Sequence, residues 1–116
     1  MKMQGQRWVY RLGNSVVCID NGFSWLGWTQ ERMVVNDETV QQSDGWFRYR
    51  QDFFEPWIIP GGEGVLRVKL VAALLTVNCS ASLDDRELQP SETRRADWSG
   101  AQGTWPADDG WTLIEA

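Results

Sequence analysis

A chain of 116 residues, 42% hydrophobic and 12% aromatic with eight tryptophans, has the size of one domain with one core and is too apolar for wholesale disorder. Its net charge of −5 disfavours nucleic acid and anionic membrane as partners, since both need clustered Lys and Arg. The longest dense apolar run, Val71 to Val77, falls far short of the roughly 18 residues of a membrane span.

The charge is unevenly placed. Residues 1–83 hold eight acidic and eight basic side chains, whereas 84–116 carry eight acidic residues against Arg86, Arg94 and Arg95. The polar start, Met1 to Arg7, has no apolar block of signal-peptide type behind it, so the expectation is a soluble, cytoplasmic chain. Cys18 and Cys79 form no paired motif and read as reduced core thiols, with a bridge left open.

Strand signals start early. In Arg7-Trp8-Val9-Tyr10-Arg11-Leu12, alternation places Trp8, Tyr10 and Leu12 on one face and the arginines on the other. Gly13-Asn14 supplies hairpin chemistry, and Val16 to Ile19 is the returning strand. Asp20-Asn21-Gly22 reads as a second turn, followed by an aromatic loop from Phe23 to Trp28. Glu31 to Val35 is a strand, Asn36-Asp37 its turn, and Thr39 to Gln41 the return. Trp46 to Arg50 alternates again.

Glu55 to Gly62, with two prolines and a glycine pair, fits only a loop or an edge segment. Val65 to Val77 alternates as a strand, with a short helix as the other reading. Val77 to Leu83 alternates cleanly, and Asp84-Asp85 turns it toward Glu87-Leu88. From Gln89 to Thr112 the large apolar groups are Trp98, Trp105 and Trp111, with no Val, Ile, Leu, Met or Phe. The expectation is an all-β antiparallel sandwich of about 7–8 short strands over 1–88. Residues 89–116 are expected as an acidic, irregular, Trp-containing arm, partly ordered or disordered.

Residues 35–44 and 83–92 echo each other at an offset of 48, with Asp37/Asp85, Gln41/Gln89 and Ser43/Ser91 identical. Two copies of one strand-turn-strand unit would explain this, as would tight turns selecting the same residues twice.

The order of these pieces resembles one sandwich repeat of the Fas apoptotic inhibitory molecule family, which has a tryptophan-led first strand, a hairpin and two late tight turns. The matching segments are Trp8 to Leu12, Val16 to Ile19, Val35-Asn36-Asp37-Glu38-Thr39-Val40 and Leu83-Asp84-Asp85-Arg86-Glu87-Leu88. In both turns Asp stands where the family usually has glycine. The resemblance spans about residues 8–88 and implies an eight-stranded antiparallel sandwich with a protein-interaction role and no enzyme activity.

Chemistry is sparse. With no histidine, Ser-His and Cys-His nucleophile pairs and the commonest zinc ligand are missing. Gly61-Gly62-Glu63-Gly64 lacks a phosphate loop's lysine. Asp37, Glu38, Asp84, Asp85, Glu87, Asp108 and Asp109 lie mostly at turn tips, where water keeps carboxylates ionised. No catalytic residue, metal site or cofactor is expected.

The tryptophans are the unusual resource. Trp25, Trp28, Trp46 and Trp57, at strand ends or in loops with Arg48 beside them, either close the sandwich or stand exposed as anchors, and in the second reading they are the candidate binding residues. They suit a non-catalytic module that docks a protein, as a monomer or edge-paired homodimer, or alternatively a carbohydrate or small-ligand module using exposed Trp.

Overall fold

The alternation read from the sequence builds ten strands in a computed structural model that describes residues 1–46, 54–59, 64–73 and 76–115. They are β1 (Lys2–Leu12), β2 (Ser15–Phe23), β3 (Trp28–Val35), β4 (Glu38–Trp46), β5 (Trp57–Ile59), β6 (Gly64–Ala73), β7 (Thr76–Leu83), β8 (Arg86–Leu88), β9 (Glu92–Ser99) and β10 (Thr112–Glu115). A six-stranded sheet has the order β10-β9-β1-β2-β3-β4, and a four-stranded sheet the order β5-β6-β7-β8. All neighbours are antiparallel.

Side chains from the two sheets interlock into one core. Trp8, Tyr10, Leu12, Val17, Ile19, Met33 and Val35 meet Ile59, Leu66, Leu70, Ala81 and Leu83, each large aliphatic contributing about 1.5–3 kcal/mol by leaving water. Tyr10 Oη lies 3.5 Å from Cys79 Sγ across the layers. Burial pushes the Tyr10 hydroxyl well above its ordinary value and the Cys79 thiol up to about 11, the latter against the opposing pull of the Tyr10 contact.

The strands β1–β4 and β5–β8 are two four-stranded meanders of equivalent register. Tyr10, Val17, Val35 and Glu38 form one cross-strand row, and Trp57, Leu66, Leu83 and Arg86 form its counterpart. The echo at the turns extends into three dimensions. Asn36 and Asp37 have φ of 49° and 68°, and Asp84 and Asp85 have 47° and 67°, the left-handed pair of a two-residue hairpin turn. The Val16 amide donates to Asn36 Oδ1 at 2.9 Å while the Asn36 amide donates to the Val16 carbonyl at 2.9 Å. In the second meander the Val65 amide donates to Asp84 Oδ1 at 3.0 Å, and the Asp84 amide donates to the Val65 carbonyl at 3.1 Å. Each turn is thus stapled to the strand two places back, beyond what turn chemistry alone requires.

Two expectations are corrected. Asp20-Asn21-Gly22 is no turn: β2 runs on to Phe23, because all three residues are buried under tertiary contacts that local propensity does not register. The sheet does not stop at residue 88 either: β9 pairs with β1 from Glu92 to Ser99 and β10 with β9, leaving the irregular run between them. Cys18 and Cys79 are free, partly buried thiols, as expected, and alternation excludes a bridge by putting Cys18 on the outer face of the large sheet and Cys79 on the inner face of the small one. Val65 to Val77 is extended as expected, divided between β6 and β7, with positions 74–75 outside the described residues. Trp57–Ile59 is an edge strand, as the flanking prolines require.

Candidate functional site: an aromatic turn and a covered aromatic face

The connection from β2 to β3 is a turn closed by its first residue. The Gly27 amide donates to the Ser24 carbonyl at 2.9 Å, the Ser24 amide to the Trp28 carbonyl at 2.9 Å, and the Leu26 amide to Ser24 Oγ at 3.2 Å. Gly27 takes φ of 102°, the positive-φ position that ends such a loop. This backbone leaves the two central side chains outside: Trp25 is 66% exposed and Leu26 74%. Phe23 braces Trp25 edge-to-face at 5.4 Å. Trp46 flanks Gly27, is 42% exposed and meets the ring of Trp28 at 5.5 Å, nearly perpendicular.

Of the candidate binding residues, Trp25, Trp28 and Trp46 therefore gather at one end of the large sheet. Trp28 serves as support, 8% exposed, its indole N–H donating to Gln30 Oε1 at 3.0 Å. Trp57 sits on the other sheet, packed on the core with its indole N–H buried and without a partner among the described residues. Arg48 lies outside the described residues. Leu26, the most exposed of the group, carried no signal except its place between Trp25 and Gly27.

A second aromatic cluster covers the outer face of the large sheet. Register aligns Arg94, Arg7, Asp20, Arg32 and Gln42 in one row and Ala96, Gly5, Gly22, Gln30 and Asp44 in the next. Asp20 is fully buried: Arg7 donates to it through Nε at 2.7 Å and Nη2 at 2.8 Å, and Arg32 through Nε at 2.7 Å. Each guanidinium lies over an indole of the C-terminal segment, Arg7 4.6 Å from Trp111 and Arg32 4.5 Å from Trp105. Trp98 stacks on Trp105 at 6.0 Å and packs on the floor made by Gly5 and Gly22, where a Cβ would meet its ring within about 3 Å.

Gln30 fastens the segment down. Its Nε2 donates to the Thr104 carbonyl at 2.6 Å, and its Oε1 accepts the Gly103 amide at 3.0 Å. Trp98 Nε1 donates to the same Thr104 carbonyl at 3.1 Å. The hydrogen-bonding groups of Asp20 and Gln30 are committed inside the protein, so this face is a packing layer. Beside it, Cys18 has its thiol pushed up by burial, with Arg7 opposing. Burial favours the neutral form of both thiols.

Among the described residues no three His, Cys, Asp or Glu side chains come together as a metal site, and no helix is long and apolar enough to cross a membrane. No protein-family model matches the chain, and no curated protein or solved structure is significantly similar to it.

Proposed function

We propose that this chain is a non-catalytic interaction module that docks a partner protein by inserting Trp25 and Leu26 into an apolar recess, with Trp46 as a shoulder. The observation that carries this reading is the exposure of two large apolar side chains, 66% and 74%, on a turn whose every bond to Ser24 holds them outward. A rigid anchor loses little entropy on binding, and a buried Trp typically dominates an interface. The turn is convex, which suits a recess on another protein better than a sugar ring lying flat on an indole. The resemblance to the Fas apoptotic inhibitory molecule repeat implies the same role.

Site-specific photo-crosslinking tests it in the cell of origin. A photoreactive residue at position 26 should capture one protein, and Trp25→Ser should abolish that product without changing the melting temperature. A photoreactive residue at position 69, on the opposite sheet, should give none. Equal products from both positions, or a product that survives Trp25→Ser, would contradict the proposal.

A further inference from the structure

The inner face of the large sheet changes character along its strands. Trp8, Ile19 and Met33 fill one row and Tyr10, Val17 and Val35 the next, but in the other direction come Arg95, Gln6, Asn21, Glu31 and Ser43, then Asp97, Gln4 and Phe23. The result is a cleft of about 270 Å³ lined by Gln4, Gln6, Phe23, Val77, Arg95 and Asp97.

The polar groups of this cleft are gathered on one face of two neighbouring strands, with Gln4, Arg95 and Asp97 exposed to water and Gln6 partly buried. Gln4, Gln6, Arg95 and Asp97 lie on adjacent strands of one rigid sheet, at positions two apart along each. Among the described residues none of these four side chains makes a hydrogen bond or ion pair. On the opposite face of the same sheet, Arg7, Asp20 and Gln30 are all tied up within the protein.

From this arrangement we infer that the cleft is a binding site for a neutral, polyhydroxylated ring, the chemistry of a single sugar residue. Two amides, one guanidinium and one carboxylate sum to no net charge and offer donors and acceptors together, which matches hydroxyls that are both. Phe23, braced by Trp25, supplies an apolar surface for the C–H face of such a ring, and Val77 a side wall. The volume lies at the small end of ligand pockets, which limits the occupant to about one ring. The site shares Phe23 and its brace Trp25 with the docking turn, but its polar groups belong to β1 and β9 alone, so it stands or falls separately from the docking of a protein.

The test is a titration of the ¹⁵N-labelled full chain with glucose, galactose and mannose and with their methyl glycosides, to roughly 10 mM, because one-ring ligands bind weakly. At least one sugar should give saturable shifts at Gln4, Gln6, Phe23, Arg95 and Asp97, including the glutamine side-chain NH₂ signals. Methyl glycosides binding better than the free hexoses would assign the site to the end of a glycan, and the reverse to a free sugar. Gln4→Ala and Asp97→Ala, both at exposed positions that folding does not need, should each weaken binding by about fivefold, the worth of one hydrogen bond. Absence of saturable shifts with all six compounds, shifts centred on Trp25 and Trp46, or unchanged affinity in both variants would overturn the inference.

Discussion

The outer faces of the two sheets carry similar residues to opposite ends. On the small sheet Arg67 and Lys69 alternate outward beside Ser80 and Ser82 and remain in solvent. On the large sheet Arg7 and Arg32 alternate outward in the same way, yet their side chains are only 15% and 16% exposed, because Trp105 and Trp111 lie over them. The two meanders share register and turn geometry, so the difference lies in what the chain does after Leu88. A charged residue on an alternating strand is a solvated group on one face and the middle of a packed layer on the other.

The largest test of that contrast removes the anion between the arginines. Asp20→Ala leaves two guanidiniums pressed under indoles with no carboxylate, and a buried pair broken in this way costs about 3–5 kcal/mol. Urea unfolding should show that loss, whereas Lys69→Ala on the small sheet should stay within about 0.5 kcal/mol of the wild type. Equal, small effects at both positions would mean that the C-terminal layer contributes no packing.

A smaller effect probes what the meanders have in common. Asn36→Ala and Asp84→Ala each remove a side-chain acceptor from a neighbouring strand's amide and place alanine at positive φ, at a combined cost of about 2–3 kcal/mol. The two losses should agree closely if the turns are equivalent. A cost at one position alone would reduce the likeness to a coincidence of turn residues.

The smallest effect concerns pH. Cys79 keeps its proton more tightly when folded, its pKa being raised by burial from 9.0 to about 11. The stability this contributes is intact below pH 9 and is lost as pH rises through 11. Cys18, raised for the same reason, acts in the same direction. The urea midpoint should therefore fall above pH 9, and in a Cys18→Ala, Cys79→Val double variant the fall should begin nearer pH 10, where Tyr10 ordinarily titrates. A midpoint that starts falling below pH 8 would contradict the assignment.

Much of the fold was legible because one physical signal, period-two burial, dominates β1, β2, β3, β6 and β7, and because Asn36-Asp37, Asp84-Asp85 and the prolines around Trp57 mark turns and an edge. Asp20-Asn21-Gly22 misled because turn propensity is local, while the arginines and the indole that make these residues a strand come from positions 7, 32 and 98. The C-terminal segment misled because a stretch without aliphatics has no period to mark a strand and promises only an arm pinned where a Trp docks, although three indoles and two guanidiniums build a layer. Of the candidate site, Trp25 and Trp46 were found from residue type and loop position. Residue type does not reveal which indoles a fold covers, and so Trp28 and Trp57 looked the same as their exposed neighbours.

The division of the indoles into a covered layer and a displayed turn is open to direct measurement. With 5-fluorotryptophan at all eight positions, each assigned by single substitution, ¹⁹F spectra with a soluble paramagnetic agent should broaden Trp25 most and Trp46 next, and leave Trp8, Trp28 and Trp111 sharp. Broadening of Trp111 equal to that of Trp25 would show that the outer face of the large sheet is open to water, and the layered structure would be wrong.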